Sequence, residues 1–276
     1  MLRRILGVVP AVATIALLAG VLAAPSASAY TGPPNSMASM GDSITRGFNA
    51  CGWYVDCTSR SWSTGDDTYV NSHRLRIRAI NPSFSAQYND AVSGSKASNM
   101  AGQASTAVGQ HVQYVTIEIG ANDACTSSES TMTPVATYRS QIDAALNTLR
   151  SGLPDAKVFL ASVPDIKRLW FIGKDSSTAR FYWWVGGICR SMLANPTSTA
   201  QADVDRRNRV RQRVIDYNTQ LAQACAAYGS NCKFDNNAVF NYQFVLGQVS
   251  GWDYFHPNRE GQRVLASVTW AAGFAW

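Results

Sequence analysis

The chain has 276 residues, 46% of them hydrophobic and 15% charged, with a formal net charge of +6. That length suits one α/β domain with a sizeable core, and so mild a positive charge falls far short of a nucleic-acid-binding signature. The three histidines, His73, His111 and His256, are scattered and no Cys-x-x-Cys pair occurs, which argues against a zinc site.

In chain order, Arg3 and Arg4 come first, Ile5 to Ala24 is an almost uninterrupted apolar and small run, and Ala27-Ser28-Ala29 is a small-x-small cleavage site. This pattern predicts a secretory signal peptide over residues 1–29; a retained anchor is the alternative. Cleavage removes 29 of the 276 residues and leaves a single domain, 30–276, whose charge without Arg3 and Arg4 falls from +6 to +4. No later segment holds 18 consecutive apolar residues, so the mature chain is expected to be soluble and extracellular.

Beyond the leader, strand-like and helix-like segments alternate. "VQYVTIEIG" (112–120) and "AKVFLASVP" (156–164) are β-branched, apolar runs closed by Gly and Pro, the pattern of strands buried on both faces of a parallel sheet. "SMASM" (36–40), "FSAQYNDAV" (84–92) and "CKFDNNAVF" (232–240) are weaker strand candidates. Thr133-Pro134 predicts a capped helix running to Arg150 and stopped by Gly152-Leu153-Pro154. Asp203 or Asp205 can cap a long helix that ends at Gly229. A last helix follows Pro257-Asn258 and turns Val264, Leu265, Val268 and Trp270 to the core. Arg206, Arg207, Arg209, Arg211 and Arg213 read as the solvated side of the long helix, with an anionic lipid or polymer contact as the alternative. The alternation predicts a three-layer α/β/α sandwich with reactive groups in loops past the carboxyl ends of strands.

The six cysteines, Cys51, Cys57, Cys125, Cys189, Cys225 and Cys232, form an even set, which in an exported chain argues for disulfides rather than thiol chemistry. Cys51 with Cys57 and Cys225 with Cys232 are close enough to staple local loops, leaving Cys125 for Cys189.

Four loops carry candidate chemistry. In "SMASMGDSITRGFNA", Ser43 follows the first strand candidate; Gly-Asp-Ser is by itself a common turn. An acyl-transfer serine needs a base, a group orienting that base, and donors aimed at the oxyanion. His256 is preceded by Asp253, a spacing that one turn can fold so that the carboxylate faces Nδ1, although a surface histidine in a turn looks the same. Asn122 in "GAND" could donate its amide to an oxyanion or make an Asx turn. Gly94 in "AVSGS" could present a bare backbone N–H or simply turn the chain. No Gly-x-Ser-x-Gly elbow occurs, and Ser93-Gly94-Ser95-Lys96 meets the Ser-x-x-Lys pattern by coincidence in a glycine turn.

Taken in order, Gly41-Asp42-Ser43-Ile44, Gly94, Gly120-x-Asn122-Asp123 and Asp253-x-x-His256 resemble the four blocks of the SGNH, or GDSL, hydrolase superfamily. The resemblance implies Ser43 as nucleophile, His256 as base and Asp253 as its acid. It assigns the oxyanion to the Ser43 and Gly94 N–H groups and the Asn122 amide, and it implies a flavodoxin-like, five-stranded parallel sheet. Asp42 and Asp123 are expected to hold loops. Neither metal nor organic cofactor is called for.

"SRSWSTGDD" (59–67) and "VPDIKRLW" (163–170) resemble the phospholipase-B-like branch, which points to a secreted lipase or phospholipase acting on glycerolipids. The insert 169–192 is rich in aromatics that suit acyl chains or a transient lipid interface, or that merely cover the sheet. Because tryptophan also stacks on sugars, a carbohydrate acetylesterase is the alternative. A monomer is expected, and a scaffold with an idle triad is the reading from outside enzymology.

Overall fold

The computed structural model describes residues 32–276, together with Met1 and Leu2. The apolar leader and its cleavage site therefore lie outside the described residues. Strands β1 (Ser36–Gly41), β2 (Ala86–Asn89), β3 (Tyr114–Glu118), β4 (Lys157–Leu160) and β5 (Cys232–Phe234) form one sheet in the order β2-β1-β3-β4-β5. Every pairing is parallel. All five strand candidates are present; β1 extends its candidate by one residue to Gly41, and the other four are shorter than their candidates, the 112–120 run pairing only from Tyr114 to Glu118. Met37, Met40, Val115, Val158, Phe159 and Leu160 are buried in the core, as strands covered on both faces require.

The helices are α1 (His73–Ile80), α2 (Met100–Gly109), α3 (Ala121–Ala124), α4 (Val135–Gly152), α5 (Ile166–Gly173), α6 (Ser177–Val185), α7 (Arg190–Leu193), α8 (Gln201–Tyr228), α9 (Ala238–Asn241) and α10 (Arg259–Ala272). Helices α2, α4 and α8 pack side by side on one face. On the other, His73 of α1 meets α10 through the Thr269 hydroxyl, 2.8 Å from Nε2, and the Trp270 ring. The result is the three-layer sandwich expected from the alternation. His73 is fully buried, with Nδ1 3.0 Å from the Tyr114 hydroxyl, and burial pulls its pKa down to about 3.

Two helix starts differ from the sequence reading. Helix α4 has Pro134 at its N-cap with no side-chain cap, because the Thr133 hydroxyl instead donates to the buried Asp123 carboxylate at 2.7 Å. Helix α8 begins at Gln201 behind Ala200, so Asp203 sits inside the first turn, where it favours the helix dipole and pairs with Arg206. In α10, Asn258 caps as its position suggests, accepting from the Gly261 N–H, and Val264 and Leu265 are buried. Val268 and Trp270 are half-buried, the deeper positions going to Ala266 and Thr269.

The arginine cluster is not a free solvated stripe. Arg206 donates to the carbonyls of Arg190, Ser191 and Ala194. Arg207 is buried, donates to the carbonyls of Asn195 and Ser198, and lies over the Trp170 ring. Arg209 pairs with Glu129, Arg211 with Asp165, and Arg213 donates to the Thr133 carbonyl. The correction has a simple cause: the long segment between β4 and α8 folds back over α8 and uses Arg206 and Arg207 to satisfy its loop carbonyls, while carboxylates and the Thr133 carbonyl engage the other three. Asn218 of α8 anchors the head of that segment, accepting from the Val163 N–H at 2.8 Å and donating to its carbonyl at 3.1 Å.

Disulfides join Cys51 to Cys57, Cys125 to Cys189, and Cys225 to Cys232. The second ties the loop after Asn122 to the end of the aromatic insert. Among the described residues no helix is long and apolar enough to cross a membrane.

Candidate active site

The order β2-β1-β3 reverses the winding direction at β1, and in open parallel sheets the crevice beyond the carboxyl ends at such a reversal accepts ligands. Ser43 leaves β1 there. Gly41, at φ +146°, turns the chain; a Cβ on it would come within 2.3 Å of the Glu118 carbonyl oxygen, so the position requires glycine. Across the sheet β3 ends at Glu118 and delivers Asn122, while Gly94 follows β2.

His256 Nε2 lies 2.8 Å from Ser43 Oγ, and His256 Nδ1 lies 2.6 Å from Asp253 Oδ2. The other oxygen, Asp253 Oδ1, accepts the Phe255 and His256 backbone N–H groups at 2.9 and 3.1 Å. The Asp-x-x-His spacing thus closes one turn with the carboxylate as its staple. Burial pushes the Asp253 pKa up, but hydrogen bonding and attraction from His256, with the two backbone donors, hold it below the ordinary carboxylate value.

Facing Ser43, neither its own backbone N–H nor that of Gly94 donates to an acceptor among the described residues. Gly94 is exposed and adopts φ +84°, with nothing within 4 Å of the place a Cβ would take. The Asn122 amide donates to the Ser95 carbonyl at 3.0 Å and, more weakly, to Asp42 Oδ2 at 3.3 Å. Asp42 Oδ1 accepts the Ile44 N–H at 2.9 Å, and burial raises the Asp42 pKa to about 7 against that bond and the field of His256. Asp123 accepts the Ala97 N–H and the Thr133 hydroxyl. Both acids bridge loops, as the sequence reading expects.

Two spaces are lined by the loops that carry the Ser–His pair. An open cleft of about 420 Å³ has Asn122, Asp253 and His256 along its base, Phe48 and Tyr54 on one wall and Phe181, Tyr182 and Val185 on the other. A narrower slot is lined by Ile44, Ala121, Leu169, Ile172 and Phe244, with Phe255 forming a wall of both spaces. Phe255 and Phe48 also pack on the His256 ring, at 5.0 and 4.8 Å between centroids.

Part of the aromatic insert joins the hydrophobic core, and part braces the site. In α6, Trp183 is buried and its indole donates to the Tyr254 carbonyl at 2.9 Å, while Tyr182 stacks on Tyr254 at 5.8 Å. Both contacts brace the loop bearing Asp253 and His256. Phe181 and Tyr54, which line the cleft, remain 56% and 52% exposed, whereas Trp184, 79% exposed, lines a separate space with Arg180, Trp183 and Arg190. Sequence reasoning did not single out Phe48, Asn49 or Phe255. Phe48 and Asn49 sit in an ordinary loop, and no spacing in the chain shows that they meet the histidine loop some 200 residues later.

Residues 37–268 match the family described as GDSL-like lipase/acylhydrolase. Membrane-associated phospholipase B1 of Mus musculus is 29% identical over 165 residues, which is 47% of this chain and 11% of the mouse protein, so the match spans about a tenth of that relative's length. Among solved structures, the extracellular lipase of Streptomyces rimosus is similar at a TM-score of 0.52 and 19% identity, covering 86% of this chain and 99% of that one. A catalytic mutant of an acetylxylan esterase from Geobacillus stearothermophilus gives 0.53 and 16%, covering 87% and 95%. At such identities the two structures establish a shared fold.

Proposed function

Because the chain belongs to the GDSL-like lipase/acylhydrolase family and is a carboxylic ester hydrolase, we propose that it is a secreted, monomeric serine lipase or phospholipase whose mature domain, 30–276, cleaves long-chain acyl esters of glycerolipids. In this reading Ser43 Oγ attacks the ester carbonyl as His256 Nε2 takes its proton. Asp253 holds the imidazole tautomer and stabilises the imidazolium. The Ser43 and Gly94 N–H groups receive the oxyanion, joined by the Asn122 N–H that makes the longer contact to Asp42. His256 then protonates the departing alcohol, and a water activated by His256 releases the acid from Ser43. The protein groups account for every proton in this cycle.

The apolar slot carries the choice of ester. Its lining residues Ile44, Ala121 and Phe255 are chain neighbours of Ser43, Asn122 and His256, so an acyl chain lying in it would reach the nucleophile from a dry wall. Each buried methylene adds about 0.8 kcal/mol, a gain an acetyl group cannot collect. The open cleft would take the alcohol portion. The exposed aromatics on its two lips suit transient contact with a lipid surface, since tryptophan and tyrosine favour the boundary between apolar and wet phases. The leader pattern and three disulfides support export.

The test compares Ser43-dependent fatty acid release from emulsified phosphatidylcholine with acetate release from acetylated xylan, using Ser43→Ala as control. Fatty acid with little acetate is expected. Acetate without fatty acid overturns the lipid reading and recasts the exposed aromatics as a sugar platform; no Ser43-dependent turnover of either overturns the esterase mechanism.

A further inference from the structure

The loop after the nucleophile reaches the catalytic acid directly. Asn49 is 2% exposed, takes a left-handed backbone at φ +62°, and donates from Nδ2 to Asp253 Oδ2 at 2.6 Å. That oxygen is the one bonded to His256 Nδ1, so the two donors converge on a single carboxylate oxygen from different sides. The other atom of the Asn49 amide, Oδ1, is buried with no partner. A buried unsatisfied acceptor is costly, and a side chain chosen only to close its own loop would turn its amide to satisfy that oxygen.

The surroundings hold Asn49 to this one bond. Cys51–Cys57 closes the loop immediately after it, the Tyr54 hydroxyl donates to the Trp252 carbonyl, and Trp53 packs edge-on to Trp252 at 5.4 Å. Phe48, its chain neighbour, packs on the His256 ring. The disulfide-closed loop therefore grips the acid-bearing turn at Trp252, and the two residues Phe48 and Asn49 just before it reach His256 and Asp253. The ionisable groups around Asp253 are His256 and Tyr54, with Asp42 acting on His256 from the opposite side.

We propose that Asn49 is a positioning residue of the Ser43–His256–Asp253 triad, its amide fixing the Asp253 oxygen that orients His256, with the Cys51–Cys57 loop as its mount. The inference rests on that triad being the working one. Asn49 touches no substrate: it acts by keeping Asp253 Oδ2 in line with Nδ1, where the carboxylate stabilises the imidazolium formed as Ser43 attacks.

The experiment measures kcat and KM against pH for Asn49→Ala and Asn49→Asp with a soluble p-nitrophenyl ester. Proton NMR of the intact protein follows the strongly deshielded His256 Nδ1–H. Asn49→Ala is expected to lower kcat about tenfold, leave KM within twofold, and move the Nδ1–H resonance upfield. Asn49→Asp keeps the shape and the left-handed backbone but opposes one carboxylate to another. It is expected to lose more than Asn49→Ala at pH 8, the gap narrowing towards pH 6 as a shared proton restores a donor. A purely structural role predicts equal losses in both variants with no pH dependence and an unmoved resonance, and that outcome overturns the proposal. So does kcat within twofold of wild type in both. If Asn49→Ala does not fold, Asn49→Gly, which suits the left-handed backbone, is read in its place. If the wild type shows no Ser43-dependent turnover, the esterase reading fails, and the resonance alone still decides whether Asn49 orders the Asp253–His256 pair.

Discussion

His256 Nε2 stands 2.8 Å from Ser43 Oγ although 213 residues separate them in the chain. The contact exists because β1 lies at the reversal in strand order, between β2 and β3, while α10, entering from the last loop, closes against the same rim. Gln262 of α10 donates to the Ile44 carbonyl at 2.8 Å and accepts the Trp62 N–H at 2.9 Å, joining the histidine loop to the serine loop from beneath. Ser43→Ala should therefore reduce kcat/KM on p-nitrophenyl esters by about ten-thousand-fold or more while leaving the melting temperature within a few degrees. Asp253→Asn should cost a similar factor by reversing the tautomer His256 needs. Steady-state kinetics beside circular dichroism melts check both.

Asn122→Ala should lower kcat by about 100- to 1000-fold with KM little changed, the pattern of a group that acts on developing charge. Gly94→Ala meets no steric obstacle, but φ +84° is a conformation alanine resists, so it should destabilise the fold by about 1–2 kcal/mol. Denaturant titration separates that loss from its effect on kcat.

Filling the slot should change the preferred ester without disarming the triad. Ile172→Trp is expected to reduce kcat/KM for octanoyl and longer esters by about 100-fold relative to the acetyl ester, the equivalent of roughly four unburied methylenes. A chain-length series of p-nitrophenyl esters reads this ratio. Equal losses at every length would show that the acyl chain lies elsewhere.

The strands were legible because a chain entering a sheet covered on both faces needs uninterrupted apolar, β-branched runs, and 112–120 and 156–164 supply them. The site was legible because each of its residues sits next to a turn signal: Gly41, Gly94, Gly120 and Pro257. What sequence reading lacked were contacts between distant segments. Nothing local shows that Thr133 turns its hydroxyl to Asp123 and so leaves α4 uncapped. The side chains of Arg206 and Arg207 look solvated until the carbonyls of the insert arrive to use them. Asn49 resembles any loop asparagine until Asp253 is placed beside it, and the slot is lined by residues from four separate stretches.

Two buried groups should give the stability opposite pH dependences. His73 titrates near its ordinary 6.5 when unfolded but at about 3 when folded, so the unfolded chain binds the extra proton between those values. Its contribution is full above 6.5 and is lost as the pH falls towards 3, roughly 1.4 kcal/mol for each pH unit crossed. Asp42 is raised from 3.8 to about 7, so the folded state binds the extra proton. Its contribution is present below 3.8 and is lost as the pH rises through 7. In urea unfolding, the stability difference between wild type and His73→Gln should grow as the pH rises from 3 to 6.5. The difference between wild type and Asp42→Asn should shrink from about 4 to 7.

Removing Cys125–Cys189 as the double serine variant should cost about 4 kcal/mol, since the bond spans 64 residues. It should also weaken hydrolysis of emulsions more than that of soluble esters, because α6 then loses its tie to the loop after Asn122. Comparing the two substrate forms under oxidising and reducing conditions checks this.

The segment from Val163 to Ala200 is a cassette in the engineering sense. Asn218 pins its head on both backbone groups of Val163, the first turn of α8 receives its tail, and a disulfide with the arginines of α8 fixes it in between. It furnishes one side of the slot and one lip of the cleft, yet contributes no member of the triad. Exchange of this stretch for one of different length, with those anchors kept, would retarget the hydrolase to another ester while the reacting atoms stay where the sheet holds them.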